Sequence, residues 1–259
     1  MAETMSPGSV WLVGAGPGDP ELLTRKAERL LREAEIVFHD ALVGDAILEL
    51  CPQALTVSVG KRAGRHSKPQ AMINWLLVEA ARAGKKVVRL KGGDPSVFGR
   101  ATEEMDYLRR QGVGVHICPG ITAASAAAAS ALTSLTLRGV ARRVTLMTAQ
   151  AKEGDAIEFD WQALAAPDAT LAIYMGRSQA ALIAKSLIKA GRSPETPVLV
   201  AVNASLPTER ILRGKLSALP FLVQTISEDD PTLLLIGEAV GYDSGAPRMM
   251  IEAKADATV

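Results

Sequence analysis

The sequence predicts an α/β protein of two lobes with a cleft between them, and three observations carry that prediction. Short apolar runs of strand length alternate with segments of helical period along most of the 259 residues. Glycine-bearing turns follow several of the strands directly, at Gly14-Ala15-Gly16-Pro17-Gly18, at Gly60, at Gly92-Gly93 and at Pro119-Gly120. The alternation then restarts after Pro119-Gly120-Ile121-Thr122, which predicts a first lobe over 9–118 and a second over 119–240. Residues 241–259 lose periodicity and read as a loose tail, as do residues 1–8.

Taken in order, Ser9 to Val13 is a strand that runs into the first glycine loop. Asp19 is placed to cap a helix with Pro20 at its first position, and Leu22, Leu23, Ala27, Leu30 and Leu31 recur at helical spacing. A strand over 36–38 ends at His39-Asp40, a helix covers 44–50, and a strand over 55–59 leads to the basic loop Gly60-Lys61-Arg62-Ala63-Gly64-Arg65-His66. Gln70 to Ala83 is amphipathic, with Gly84 as its stop. Next come a strand over 86–91, a loop over 92–100, a helix to Arg110 and a strand over 113–118. The second lobe opens on an alanine-rich helix, 123–131, which permits close backbone approach. Strands are predicted at 143–148, 169–175, 197–203, 209–215 and 232–238, with helices at 178–190 and 216–224. Repeated strand–helix alternation predicts largely parallel sheets. Ligands of such sheets lie outside the strand C-termini, where Asp40, Lys61, the Gly92 loop and Thr122 all fall.

Lys plus Arg number 29 against 28 for Asp plus Glu, so no global field points to nucleic acid or to a membrane surface. The local distribution is less even. Ten Lys/Arg and two Asp/Glu lie between Lys61 and Arg100, a local net charge of +8, which leaves −7 for the remainder. Such a window is either a solvated basic face or a site for a polyanionic small molecule. Cys51 and Cys118 resemble neither a disulfide framework nor a metal cluster, and buried free thiols fit a reducing cytoplasm. The N-terminus has no signal-peptide pattern, and no apolar run approaches the roughly 18 residues of a membrane span.

The first glycine loop invites a dinucleotide-binding reading, since Gly14-x-Gly16 follows a strand and Asp40 ends the next one. The third glycine of that fingerprint would fall at position 19, however, which is Asp19. An acid at this helix start occupies the dipole site that a pyrophosphate requires. The loop therefore suits a cofactor that is not a phosphate ester. No Gly-Lys-Ser/Thr follows, which excludes a Walker-type phosphate loop. Asp94, in Arg89-Leu-Lys-Gly-Gly-Asp-Pro-Ser-Val-Phe-Gly-Arg100, reads either as the cap of a strand-to-helix turn or as part of a ligand site.

Taken together, VGAGPGDPELLT (13–24), VGKRAGRH (59–66), RLKGGDPSVFGR (89–100), PGITAASA (119–126) and YMG (174–176) resemble the tetrapyrrole methylase family over about residues 9 to 240. The first loop is common to all relatives, whereas KR-x-G-x-H together with RLKGGDP-x-VFGR is specific to members acting on uroporphyrinogen III. The resemblance implies a class III methyltransferase fold, a homodimer, and S-adenosylmethionine bound in the cleft. Carried onto matching positions, the cofactor residues are Pro17, Gly92, Gly93, Asp94, Val97, Thr122, Ala123, Met175 and Ala204. Asp40 and Lys61 match positions with acid–base roles, and Arg100 completes the implied catalytic set. Glu103, Arg138 and Met175 match substrate-handling positions. The implied reaction is methylation of two adjacent pyrrole-ring carbons of uroporphyrinogen III, giving precorrin-2 by way of precorrin-1. The chain departs from the family pattern at His39, Ala41, Ala101-Thr102 and Ala149-Gln150. Other readings are a methyltransferase for a later corrin precursor, a nicotinamide-dependent oxidoreductase, and a non-enzymatic ligand-binding regulator.

Overall fold

The computed structural model describes residues 4–60, 69–150 and 159–241. Lys61, Arg62 and His66 of the expected basic loop, and all but the first residue of the expected tail, lie outside the described residues.

The first lobe is a five-stranded sheet, β1 (Ser9–Gly14), β2 (Ile36–His39), β3 (Leu55–Ser58), β4 (Val87–Lys91) and β5 (Gly114–Cys118), in the order β3-β2-β4-β1-β5. Every pairing is parallel, as the alternation predicts. Its helices are α1 (Arg25–Glu33), the short α2 (Asp45–Leu48), α3 (Gln70–Arg82) and α4 (Ala101–Arg110). Side chains of a strand alternate between faces. Trp11, Val13, Val88 and Leu90 accordingly pack with Leu30 and Leu31 of α1, while Val10, Leu12 and Val87 pack with Leu77 of α3 and Leu108 of α4. After β1 the chain crosses by α1 towards β2; after β4 it crosses by α4 towards β5. The two connections leave adjacent strands in opposite directions, so the topological switch point, where such sheets bind ligands, lies between β1 and β4.

The second lobe contains α5 (Ala123–Ser130), β6 (Arg143–Thr148), α6 (Trp161–Leu164), β7 (Ala169–Tyr174), α7 (Ala180–Lys189), β8 (Pro197–Val202), β9 (Arg210–Lys215), α8 (Leu219–Leu222) and β10 (Thr232–Ile236). Its sheet order is β6-β7-β10-β8-β9, and here the expectation of a largely parallel sheet fails. Only β6 and β7 pair in parallel; β10 runs against both β7 and β8, and β8 runs against β9. The reason is chain length. Residues 203–209 between β8 and β9 are too few for a parallel crossover, which needs about a dozen or more. One face packs Leu171, Ile173, Val200 and Leu234 against Ile183 and Leu187 of α7. The other packs Leu199, Leu233 and Leu235 against Ala124 and Ala127, so the alanine-rich helix sits close to its sheet.

The helix expected from Asp19 is divided. Asp19 caps a single 3-10 turn, Pro20–Leu22, by accepting from the Glu21 N–H at 2.8 Å. α1 begins after it with Thr24 as cap, whose hydroxyl accepts from the Ala27 N–H at 3.1 Å. The expected 178–190 and 216–224 helices likewise begin as 3-10 turns, and the second retains only Leu219–Leu222 as α-helix. Both cysteines are buried free thiols, and burial pushes each thiol up. No helix among the described residues is long and apolar enough to cross a membrane.

The end of the first sheet away from the glycine loops is tied by Glu35. Its carboxylate accepts from the Lys86 N–H at 2.9 Å and pairs with Lys85 at 3.0 Å, and these contacts hold it below its ordinary range. A carboxyl lowered on folding contributes stability that is present above its unfolded pKa of about 4.3 and lost as pH falls through the folded value. Glu35→Gln is therefore expected to lower the urea midpoint at pH 7, with the difference from the parent shrinking towards pH 3. A difference independent of pH would contradict this assignment.

Candidate active site

Three loops meet at the switch point, and they meet backbone to backbone. The loop after β1 and the loop after β4 are joined by a two-way bridge, with the Gly93 N–H donating to Gly16 at 2.7 Å and the Gly16 N–H to Gly93 at 3.2 Å. The Ala15 N–H also donates to the Lys91 carbonyl at 2.7 Å. The loop after β5 crosses both. A Cβ on Gly14 would lie 2.6 Å from the Gly120 Cα and 2.6 Å from the Gly93 carbonyl oxygen. Glycine is required there because no side chain fits between the strands' exits.

Asp94 locks this crossing. One carboxylate oxygen accepts from the Gly120 N–H at 2.9 Å; the other accepts from the Ser96 N–H at 2.7 Å and from the Ser96 hydroxyl. The cap reading of Asp94 is thus present, and the same carboxylate also joins the β4 and β5 loops. Gly93, Phe98 and Arg100 all have positive φ, at 68°, 51° and 56°. Met175, Asn203 and Ser205 share that left-handed conformation after β7 and β8, at 54°, 53° and 66°. Non-glycine residues in this region are strained, and such residues gather at ligand sites.

The second lobe closes onto these loops. The Tyr174 hydroxyl, at the end of β7, bonds the Thr122 hydroxyl and accepts from the Ala124 N–H at 3.2 Å. Its ring meets Phe98 with centroids 5.1 Å apart. On the other side the Asp19 N–H donates to the Ser205 hydroxyl at 3.0 Å. Pro17, Gly92, Asp94 and Val97 of the first lobe, and Thr122, Ala123 and Ala204 beside the second, are all partly or fully buried, whereas Met175 is exposed. A cavity of about 450 Å³ also opens between the lobes, lined by Asp19, Leu22, Ile121, Ser125, Ser205 and Glu209 among others. It takes in none of the nine expected cofactor positions. Two carboxylates in its wall make it a poor site for a polycarboxylate.

Of the remaining expected residues, Asp40 stands at the exit of β2 with its side chain 31 % exposed. Arg100 caps α4 and holds Glu103 in a two-bond fork, Nε to Oε1 at 2.8 Å and Nη2 to Oε2 at 2.7 Å. Arg138 is exposed on the tight turn closed by the Leu137–Ala141 bridge; among the described residues no hydrogen bond or ion pair joins it to the cleft loops. Beneath Asp40 lies a cluster that sequence reading missed. The Arg89 guanidinium pairs with Asp40 through Nη2 and with Glu104 through Nε at 3.1 Å, and Lys91 Nζ reaches both Glu104 oxygens at 3.1 and 3.2 Å. Burial, then the neighbouring Arg89 charge, pull the Lys91 ammonium below its usual range, against the opposing pull of Glu104 and Asp40. Two of the ten cations in the basic window are thus neutralised inside the lobe, and Lys85 is paired with Glu35. The signal was available: two charged residues at i, i+2 on a central parallel strand share one buried face.

A parallel lobe with a glycine-built crossing at its switch point, closed by a second, mixed-sheet lobe, defines a two-lobed α/β protein with a cleft between the sheets. The chain belongs to the tetrapyrrole (corrin/porphyrin) methylases, whose family model matches residues 9–220. That bears out the resemblance drawn from the motifs. The chain is 46 % identical to the uroporphyrinogen-III C-methyltransferase of Pseudomonas aeruginosa over 231 residues, 89 % of this chain and 94 % of that relative. It is 47 % identical to the siroheme synthase of Pseudomonas fluorescens over 234 residues, 90 % of this chain and 50 % of the relative. It therefore spans about half the length of the siroheme synthases it matches. Among solved structures, uroporphyrin-III C-methyl transferase from Thermus thermophilus, complexed with S-adenyl homocysteine, superposes with a TM-score of 0.76 at 41 % identity, covering 90 % of this chain and 93 % of that one.

The crossing itself is testable. Gly120→Ala would place its Cβ 2.9 Å from the Gly14 Cα and closer still to the Gly93 carbonyl, backbone atoms that cannot rotate aside. It is expected to destabilise by about 1–3 kcal/mol in denaturant unfolding. Gly114→Ala, whose Cβ would meet only the Ser9 Cβ at 3.8 Å, should stay within about 0.5 kcal/mol of the parent.

Proposed function

We propose that this protein is an S-adenosylmethionine-dependent C-methyltransferase that methylates uroporphyrinogen III at two pyrrole-ring carbons, giving precorrin-2 by way of precorrin-1. The observation that carries the reading is the glycine crossing locked by Asp94, present in a chain that matches a C-methyltransferase over nearly the full length of both. The reading takes 9–118 and 119–240 as the two lobes and includes a homodimer in the cytoplasm.

The cleft suits the cofactor on structural grounds. Side-chain-free backbone at Gly92 and Gly93 lets a ligand approach the main chain closely, and a Cβ on Gly93 would meet nothing within 4 Å. Val97 and Met175 offer apolar contact, and the Asp94 carboxylate places negative charge where a sulfonium would benefit from it. Pro17, Thr122, Ala123 and Ala204 complete the set assigned to the cofactor. When bound, S-adenosylmethionine supplies an electrophilic methyl group for direct displacement. The protein's share is alignment, which for a well-held pair of reactants is worth at most about 7–11 kcal/mol. Asp40 and Lys61 are assigned to proton handling on the macrocycle. Arg100, Glu103 and Arg138, with Met175, are assigned to positioning its carboxylates and ring; a guanidinium–carboxylate hydrogen bond contributes about 1.5–3 kcal/mol. The nicotinamide alternative is disfavoured by Asp19, whose carboxylate occupies the turn a pyrophosphate would need.

Incubation with uroporphyrinogen III and methyl-labelled cofactor, followed by product mass, is expected to show gain of two methyl groups; no gain would exclude this acceptor. Asp94→Ala leaves the Gly120 N–H without its acceptor, a loss of about 1–3 kcal/mol, and should weaken S-adenosylhomocysteine binding in calorimetry by about tenfold or more. Arg100→Ala is expected to leave that affinity unchanged and to lose methyl transfer. Loss of cofactor affinity alone in both variants would refute the division of roles along the 89–100 segment.

A further inference from the structure

We propose that Arg89 and Glu104 are positioning residues for this methyl transfer, with wholly buried Glu104 fixing the Arg89 guanidinium and Arg89 in turn fixing the Asp40 carboxylate at the edge of the cleft. This rests on the reading of Asp40 as a substrate-facing group.

The accessibility gradient is the first argument. Glu104 has none of its side chain exposed and Arg89 only 2 %, whereas Asp40 at the end of the chain of contacts has 31 %. The second is that the guanidinium has no freedom left. Its Nε donates to Glu104 at 3.1 Å, its Nη1 to the Leu90 carbonyl at 3.1 Å and the Phe38 carbonyl at 3.5 Å, and its Nη2 to Asp40. Two of those acceptors are backbone groups of β2 and β4, so Arg89 is referenced to the sheet and not to a mobile side chain. The Asp40 N–H donates to the Leu90 carbonyl at 3.2 Å, which ties the same residue to β4 a second time.

Glu104 also collects neighbours from two other elements. Besides Arg89 and Lys91 of β4, its Oε1 accepts from Gln70 Nε2 of α3 at 3.1 Å. Glu104 itself lies in the first turn of α4, whose cap is Arg100 and whose exposed face carries Glu103. Gly99, one residue before that cap, sits against the Lys91 stem: a Cβ there would lie 3.2 Å from the Lys91 Cε. One buried carboxylate therefore sets the spacing between the exit of β2, with Asp40, and the start of α4, with Arg100. Two cations and two carboxylates balance in charge, yet a buried ionic cluster is weak as a source of stability, since desolvation offsets most of the attraction. Val87 and Leu108 fill the same face of the sheet with apolar side chains. What an ionic cluster provides there, and a leucine would not, is directional contact with Asp40.

The experiment is a double-mutant cycle on the full chain, with S-adenosylhomocysteine calorimetry to report the cofactor site and labelled methyl transfer to report kcat and KM. Asp40→Asn is expected to lower kcat by about 100-fold or more, the range for a proton-handling group. Arg89→Met should lower kcat at least about tenfold with S-adenosylhomocysteine affinity within about twofold of the parent, and Arg89→Lys should recover part of the loss. In the Asp40→Asn background Arg89→Met should reduce kcat by less than about threefold further, because coupled residues are not additive. An Arg89→Met factor equal in both backgrounds would overturn the proposal. Should Arg89→Met not fold, the nearly isosteric Glu104→Gln takes its place in the same cycle, with the same non-additivity expected. A Glu104→Gln that loses cofactor affinity and melting temperature while keeping kcat per folded enzyme would show a structural role only and overturn it. An unchanged kcat in Asp40→Asn would instead refute the role of Asp40 itself, and with it this inference, while leaving the methyltransferase assignment standing.

Discussion

The approach on which the cleft loops depend is made without side chains. Gly14, Gly93 and Gly120 leave β1, β4 and β5 and pass within a distance that excludes a Cβ on the first and third. Everything nearer the cleft depends on that approach. It brings the three loops onto one line at the switch point, and it lets a single carboxylate, Asp94, reach from the β4 loop to the Gly120 N–H. Unpaired backbone groups in a crowded crossing would be unfavourable; here the Gly16–Gly93 bridge and Asp94 satisfy them. The cleft-facing surface is therefore formed by backbone that is already hydrogen-bonded on its inner side.

β4 is the strand on which both halves of the site depend. Its Val88 and Leu90 face α1 and belong to the apolar core, while Arg89 and Lys91 face α3 and α4 and belong to the ionic cluster. Its next residues are Gly92, Gly93 and Asp94. Period-2 alternation thus separates packing from electrostatics on one strand, and the exit of the strand adds the backbone crossing. The donor side and the acceptor side of the proposed reaction share this element, which keeps them in fixed relation without a hinge between them.

The first lobe was legible because each of its parallel strands needs a crossover, and helix-period segments of adequate length stand between them. The second was misread where that logic was extended to β8 and β9, although the short 203–209 connection already implied a reversal. Asp19 looked like the cap of α1 because Asp-Pro is a strong start signal; Thr24, four residues before Glu28 and beside Cys118, does that work in the fold. The glycine loops of the site could be read directly, since a glycine pair after a strand has few other uses. Glu104, Arg89 and Lys91 were missed because a window count of charge treats every cation as accessible, although the i, i+2 spacing of Arg89 and Lys91 on a central strand pointed to one buried face. The fold adds the partner, Glu104, that neutralises them.

That correction alters the electrostatics available to a polycarboxylate ligand. With Arg89 and Lys91 neutralised, Arg100 is, among the described residues, an exposed cation next to the cleft loops, and it is already held by Glu103. Both side chains of that pair are more than half exposed, at 56 % and 55 %, and an ion pair in such a setting contributes only about 0–1 kcal/mol. Replacing the Glu103 carboxylate by a ligand carboxylate in the same fork therefore exchanges like for like, at little cost beyond releasing Glu103 to water. Arg100 itself has a left-handed backbone, and Glu104, one residue beyond Glu103, anchors the same helix turn to β4 through Arg89 and Lys91. In the proposed reaction, affinity for the acceptor would then depend on where Arg100 is held as well as on its charge.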